Sequence, residues 1–184
     1  MRKISSVLVY ALSAFIILSC TTTGIGDGGR TSVVAKLVDQ KELLKEFGVR
    51  KTENPYTPPV TMLLKPVFEF IVVSVEVSSQ MPVNIKIESA TVIGSKNESI
   101  AKLLTSVELH ELWLFYGKPE MLYHLYDKID RSYIPSTSYK AKTGKSRRLL
   151  VFSGAYPIKK PCTISLTLLV DGVETAFDLM ILEK

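Results

Sequence analysis

The twenty residues TISLTLLVDGVETAFDLMIL, positions 163–182, leave the chain little choice of local structure. Ile164, Leu166, Leu168 and Val170 recur at every second position before the turn, and Phe177, Leu179 and Ile181 do so after it. A period of two places each set on one face of an extended strand. Between the two sets stands Asp171-Gly172, a pair that suits a two-residue type I′ turn because both central residues need positive φ. The stretch therefore predicts an antiparallel hairpin, strands 163–170 and 173–182, with one full face to bury. An isolated hairpin is marginal in water, so it requires partner strands.

The rest of the chain supplies them. FEFIVVSVEV (68–77) is β-branched and nearly continuous, as expected of a central strand covered on both faces. VNIKI (83–87) alternates and should show Asn84 and Lys86 to water, while SVELHELWLFY (106–116) and RLLVF (148–152) read as further strands. Asp39 and Glu42 form a capping box, Val38 and Leu43 occupy the staple positions, and Gly48 supplies a stop with Val49 placed to touch Leu44. A helix is predicted over 40–47 with Leu43, Leu44 and Phe47 on the core. Ser95 and Glu98 form a second capping box before Ile100, Leu103 and Leu104, and Pro119 and Glu120 open a helix with Leu122, Leu125, Tyr126 and Ile129 on one stripe. The four prolines of NPYTPPVTMLLKP (54–66) predict an extended surface crossing, and Pro55 and Pro58 there read as an ordinary loop rather than a groove ligand. The predicted class is mainly β, or α+β. In detail it is an antiparallel two-layer β-sandwich of immunoglobulin-like outline, with two or three short helices in its connections.

The other end of the chain follows a different logic. Met1-Arg2-Lys3 is positive, and no charge occurs from Ile4 to Ser19. This apolar run is interrupted by Ser5, Ser6 and Ser13 and followed at once by the polar TTTGIGDGG. It falls short of the about 20 apolar residues that a membrane helix needs, and has the layout of a secretory signal. At its end stands Ile17-Leu18-Ser19-Cys20, two apolar residues, a small one and a cysteine. The segment resembles the lipobox of bacterial lipoproteins, with Ile17 where that family usually has leucine. The resemblance implies that the Cys20 thiol takes a diacylglycerol, that the chain is cut between Ser19 and Cys20, and that the new amine is acylated. Two or more acyl chains are what stable anchoring requires, since each buried methylene contributes only about 0.8 kcal/mol. By the same resemblance, the non-acidic Thr21 after the anchor favours the outer membrane in an organism that has two.

These expectations divide the chain into a signal peptide (1–19), a lipidated, glycine-rich flexible tether (20–32) and a single globular domain (33–184). Removing Arg2 and Lys3 lowers the net charge from +5 to +3, a mild balance that calls for no nucleic acid. With Cys20 acylated, Cys162 has no partner for a disulfide, so the domain must be held by its hydrophobic core.

Few residues suggest chemistry. Gly24, Gly26 and Gly29 spell G-x-G-x-x-G, but a dinucleotide loop needs a strand before it and a helix after it. Thr143-Gly144-Lys145-Ser146 ends like a P-loop, but Tyr139 stands where the motif needs its first glycine. On a strand, Glu108 and His110 would share a face, yet a metal site needs three or four ligands and His124 falls on another element. No G-x-S-x-G elbow holds a nucleophile, and Cys162 reads as a buried, inert thiol. No catalytic residue, metal or cofactor is therefore expected, and an envelope hydrolase is the remotest of three functional expectations.

One region is richer. Trp113, Phe115, Tyr116, Tyr123, Tyr126, Tyr133, Tyr139 and Tyr156 lie close in sequence to Lys140, Lys142, Lys145, Arg147 and Arg148, five cations within nine positions and no acid among them. Aromatic side chains with polar tips suit binding surfaces, although the same residues serve equally as core: Trp113, Phe115, Tyr123 and Tyr126 are expected to pack inside. If the basic stretch is a contact loop, its partners are anionic lipid, acidic glycan or an acidic envelope protein. The leading expectation is thus an extracytoplasmic binding module tethered to the bilayer through Cys20. A structural or assembly accessory of the envelope, with no small ligand, is the alternative.

Overall fold

The computed structural model describes residues 24–26, 31–48, 53–59, 67–134 and 138–182. Its elements, in chain order, are β1 (Gly24–Gly26), β2 (Thr31–Leu37), α1 (Gln40–Phe47), β3 (Phe68–Ser79), β4 (Val83–Gly94) and β5 (Ser99–Leu103). There follow α2 (Ser106–Tyr116), α3 (Pro119–Ser132), β6 (Ser138–Ala141), β7 (Gly144–Ala155), β8 (Cys162–Val170) and β9 (Val173–Ile181). Every strand pairing is antiparallel.

The expected mainly β class with helices in the connections is what forms. Hydrogen bonding joins all nine strands into one sheet, in the order β1-β2-β3-β7-β5-β4-β8-β9 with β6 on β4, and does not divide them into the two layers of an immunoglobulin-like sandwich. The sheet curls until β9 approaches β1 and β2, nearly closing a barrel. Its interior is filled by Val33, Val73, Val75, Ile85, Phe152, Ile164, Leu166 and Phe177 among others. The outer face of β3 and β7 carries a second core, where Val72, Leu149 and Val151 meet Leu43 and Phe47 of α1, Leu109 and Trp113 of α2, and Leu125 and Ile129 of α3. This explains the unbroken apolar run of β3, whose alternate residues enter different cores.

The closing hairpin forms as its pattern requires. Asp171 and Gly172 have φ of 48° and 85°, and Ile164, Leu166, Leu168, Val170, Phe177 and Leu179 are all buried. Helix α1 also forms over its expected residues, with the Asp39 carboxylate accepting from the Glu42 backbone N–H at 2.8 Å. The contact expected of Val49 lies outside the described residues, as do Cys20, residues 1–19 and Gly29.

Four local expectations are overturned. Residues 106–116 are a helix, not a strand, because Thr105 and Glu108 cap it reciprocally: Oγ1 accepts from the Glu108 N–H at 3.1 Å, and Glu108 Oε2 accepts from the Thr105 N–H at 2.8 Å. The spacing Thr-x-x-Glu was present, and Leu109 and Trp113, four apart, share the buried face. Conversely, Ser95 and Glu98 cap no helix. They sit in the tight β4–β5 turn, with Asn97 at φ 61° and the Gly94 N–H donating to the Glu98 carbonyl, since strand pairing on both sides of β5 outweighs the cap.

The proline-rich segment does not simply cross the surface. Asn54, Pro55, Tyr56 and Thr57 are buried beneath the helices. Asn54 donates to the Leu43 carbonyl, Trp113 Nε1 donates to the Pro55 carbonyl, and the Tyr56 hydroxyl meets Ser132 Oγ at 2.6 Å, whereas the buried Thr57 hydroxyl has no hydrogen-bond partner among the described residues. Finally, the stretch 20–32 is not all tether. Gly24–Gly26 pairs with β2 as an edge strand, Gly24 opposite Val33 and Gly26 opposite Thr31.

Candidate functional site

The short connection between α2 and α3 turns the chain back at Gly117, where a β-carbon would lie 2.4 Å from the Trp113 carbonyl oxygen. This tight reversal packs α2 against α3, and among the described residues nothing covers the outer side of the pair. Helix α2 is apolar on both sides: Leu109 and Trp113 are buried, yet Val107, Leu114 and Phe115 are 58%, 63% and 79% exposed. Tyr123 on α3 is 78% exposed. Phe115 and Tyr116 pack edge to face with centroids 4.8 Å apart, and Tyr116 meets Phe68 at 5.7 Å, which ties this surface to the first residue of β3.

The aromatic region therefore splits in two. Trp113 and Tyr133 are core, Tyr126 and Tyr139 are half-buried, and Phe115, Tyr116, Tyr123 and Tyr156 stand outside. Phe115 and Tyr123 depart from the expected packing because their helical positions face away from Leu109, Trp113, Leu125 and Ile129. Once 106–116 is a helix, period 3.6 separates Trp113 from its neighbours Leu114 and Phe115.

The basic stretch is likewise divided, and it is not one loop. Lys140 lies on β6, Lys142 in the turn, and Lys145, Arg147 and Arg148 on β7. The three lysines are exposed. Arg147 is already engaged: its Nη2 donates to Glu42 Oε1 at 2.8 Å, and its Nη1 donates to Glu46, so it fastens α1 to the sheet. Arg148, on the opposite face of β7, stacks over the Tyr139 ring at 5.7 Å. Burial pushes the Tyr139 phenol up, offset in part by Ser146 and Arg148. The Tyr139 and Ser146 hydroxyls are neighbours, but they do not meet hydrogen-bond geometry. Pro82, Lys140, Ala141, Lys142 and Thr143 line an open concavity of about 510 Å³ at this end of the barrel.

The remaining candidates do not converge. Glu108 belongs to the α2 cap and to Lys102, which together hold its carboxyl below the usual range, the lysine contributing most. His110, two residues on, points elsewhere on the helix, 3.3 Å from Asp130 and against Tyr126. Among the described residues no three of His, Cys, Asp and Glu gather to hold a metal. Cys162 opens β8, free and buried, and burial raises its thiol pKa. Among the described residues no helix is long and apolar enough to cross a membrane. No known protein family, curated protein or solved structure matches the chain.

Proposed function

We propose that this chain is a lipoprotein, anchored through an acylated Cys20 on the extracytoplasmic side of the membrane, and that it acts as a binding module of the cell envelope. In an organism with two membranes that sorts lipoproteins by the residue after the cysteine, Thr21 favours the outer one. The anchor is supported by the Ile17-Leu18-Ser19-Cys20 sequence behind a charge-free run. The binding role is supported above all by α2, which offers Leu114 and Phe115 to solvent, and by the exposed Tyr123 on α3. Aromatic side chains of this kind gain by leaving water against a partner protein and are enriched in interfaces.

Two variants test the two halves separately. Cys20→Ala should lose acyl mass and membrane retention while its circular dichroism stays that of the wild type. Leu114→Glu/Phe115→Glu should keep anchor and fold, yet lose a protein that the tethered wild type retains on affinity purification from its own envelope. Acyl mass on the alanine variant would end the anchoring half. Equal recovery of every retained protein by wild type and the double variant would end the binding half.

A further inference from the structure

We infer that the protein met by α2 carries a lysine or arginine among apolar side chains, and that Glu111 is the residue that selects it. This rests on the proposed binding role of α2 and adds to it the chemistry of the partner.

The exposed residues of α2 form one stripe. Val107, Glu111, Leu114 and Phe115 stand at i, i+4, i+7 and i+8, a spacing that places them on one side of a helix, opposite Leu109 and Trp113 in the core. Glu111 is thus set within the apolar stripe, with Val107 one turn before it and Leu114 and Phe115 one turn after it.

Nothing on the helix matches its charge. Side chains three and four positions apart are neighbours on a helix surface, and around Glu111 those positions hold Val107, Glu108, Leu114 and Phe115. Glu108 is itself an acid, already held by Lys102. Helix α2 contains no lysine or arginine, and its one histidine, His110, is turned toward Asp130. Lys118, the nearest cation along the chain, lies beyond the end of the helix. Among the described residues no cation pairs with the Glu111 carboxylate.

In water this charge is hydrated. When a partner covers Leu114 and Phe115 it covers Glu111 with them, and a carboxylate taken out of water is strongly unfavourable unless it is paired. A purely apolar surface is therefore disfavoured and an acidic one repelled, whereas a surface that brings an ammonium or guanidinium group to this point is accepted. Specificity then has both an attractive and a repulsive element. The same charge argues against the bilayer as occupant, because hydrocarbon would strip its water and anionic headgroups would repel it.

The test uses the full acylated chain in its own envelope, and measures recovery of the protein that wild type retains and Leu114→Glu/Phe115→Glu does not. Glu111→Lys should reduce that recovery at least about tenfold, since two cations then meet. Glu111→Gln should reduce it several-fold and Glu111→Asp, which keeps the charge, least. Wild-type recovery should fall as salt rises from about 0.05 to about 0.5 M, and recovery by Glu111→Gln should depend on salt much less. Circular dichroism of the three variants should match wild type, since Glu111 is exposed. Equal recovery by wild type, Glu111→Gln and Glu111→Lys, or greater recovery with lysine, overturns the cationic partner alone while the double variant still loses the protein. If the double variant loses nothing, the binding role of α2 falls and this inference with it. Retention of the Cys20→Ala chain on phosphatidylglycerol vesicles, abolished in the same background by Leu114→Glu/Phe115→Glu, would make the bilayer the occupant and likewise overturn the inference.

Discussion

Two phenylalanines provide a direct test of the division between core and exposed helix face. Phe177 is 1% exposed on β9, directly opposite the equally buried Leu166 on β8. Phe115 is 79% exposed on α2. Truncating a buried Phe to Ala removes its transfer free energy and leaves a cavity, together about 3–5 kcal/mol. Here the cavity closes only in part. Strand β8 is fixed between β4 and β9, whereas β9 is hydrogen-bonded on one side only and can lean inward, which favours the middle of that range. Against a total stability of about 5–15 kcal/mol the loss is large. With a urea slope near the middle of the usual about 1–3 kcal/mol per molar, the unfolding midpoint of Phe177→Ala should fall by roughly 2 M. Phe115→Ala should stay within about 0.5 kcal/mol of wild type, since it uncovers nothing in the core. Urea titrations followed by Trp113 fluorescence measure both. Equal midpoints for the two variants would refute the barrel interior and the exposed helix face alike.

Two further outcomes follow from the polar interior and the helix cap. The buried Tyr133 hydroxyl donates to the Leu104 carbonyl and accepts from the Val151 N–H at 3.2 Å, so Tyr133→Phe leaves both backbone groups unpaired. It should cost about 1–3 kcal/mol, read as a lower melting temperature, and an unchanged melting temperature would mean that these groups find other partners. The Glu108 carboxyl has a folded pKa below its unfolded one, chiefly through Lys102 and then the Thr105 backbone. Its stabilisation is complete above the unfolded carboxylate pKa of about 4.3 and disappears as pH falls through the lower folded value. The stability gap between wild type and Glu108→Gln, measured by urea titration, should therefore narrow from about pH 6 to about pH 3, and a gap independent of pH would contradict the charged cap.

Sequence alone determined those parts whose structure is decided locally or by a strict period. The Asp171-Gly172 turn and its alternating flanks, the Asp39 cap of α1, the Pro119 start of α3 and the two-faced strand β3 were all legible, because each carries its own hydrogen-bond or burial requirement within a few residues. Two capping boxes of the same form, at Ser95 and Thr105, were not separable by sequence. Only pairing of β5 with β4 and β7 turned the first into a hairpin and left the second to start α2. The proposal that Cys20 is acylated rests on sequence alone, on Ile17-Leu18-Ser19-Cys20 behind a charge-free run. Which aromatics face water and which of the five cations are already matched were decided by tertiary structure. Those properties depend on strand register between residues as distant as Thr31, Ser79 and Gly144, and no local period encodes such a pairing.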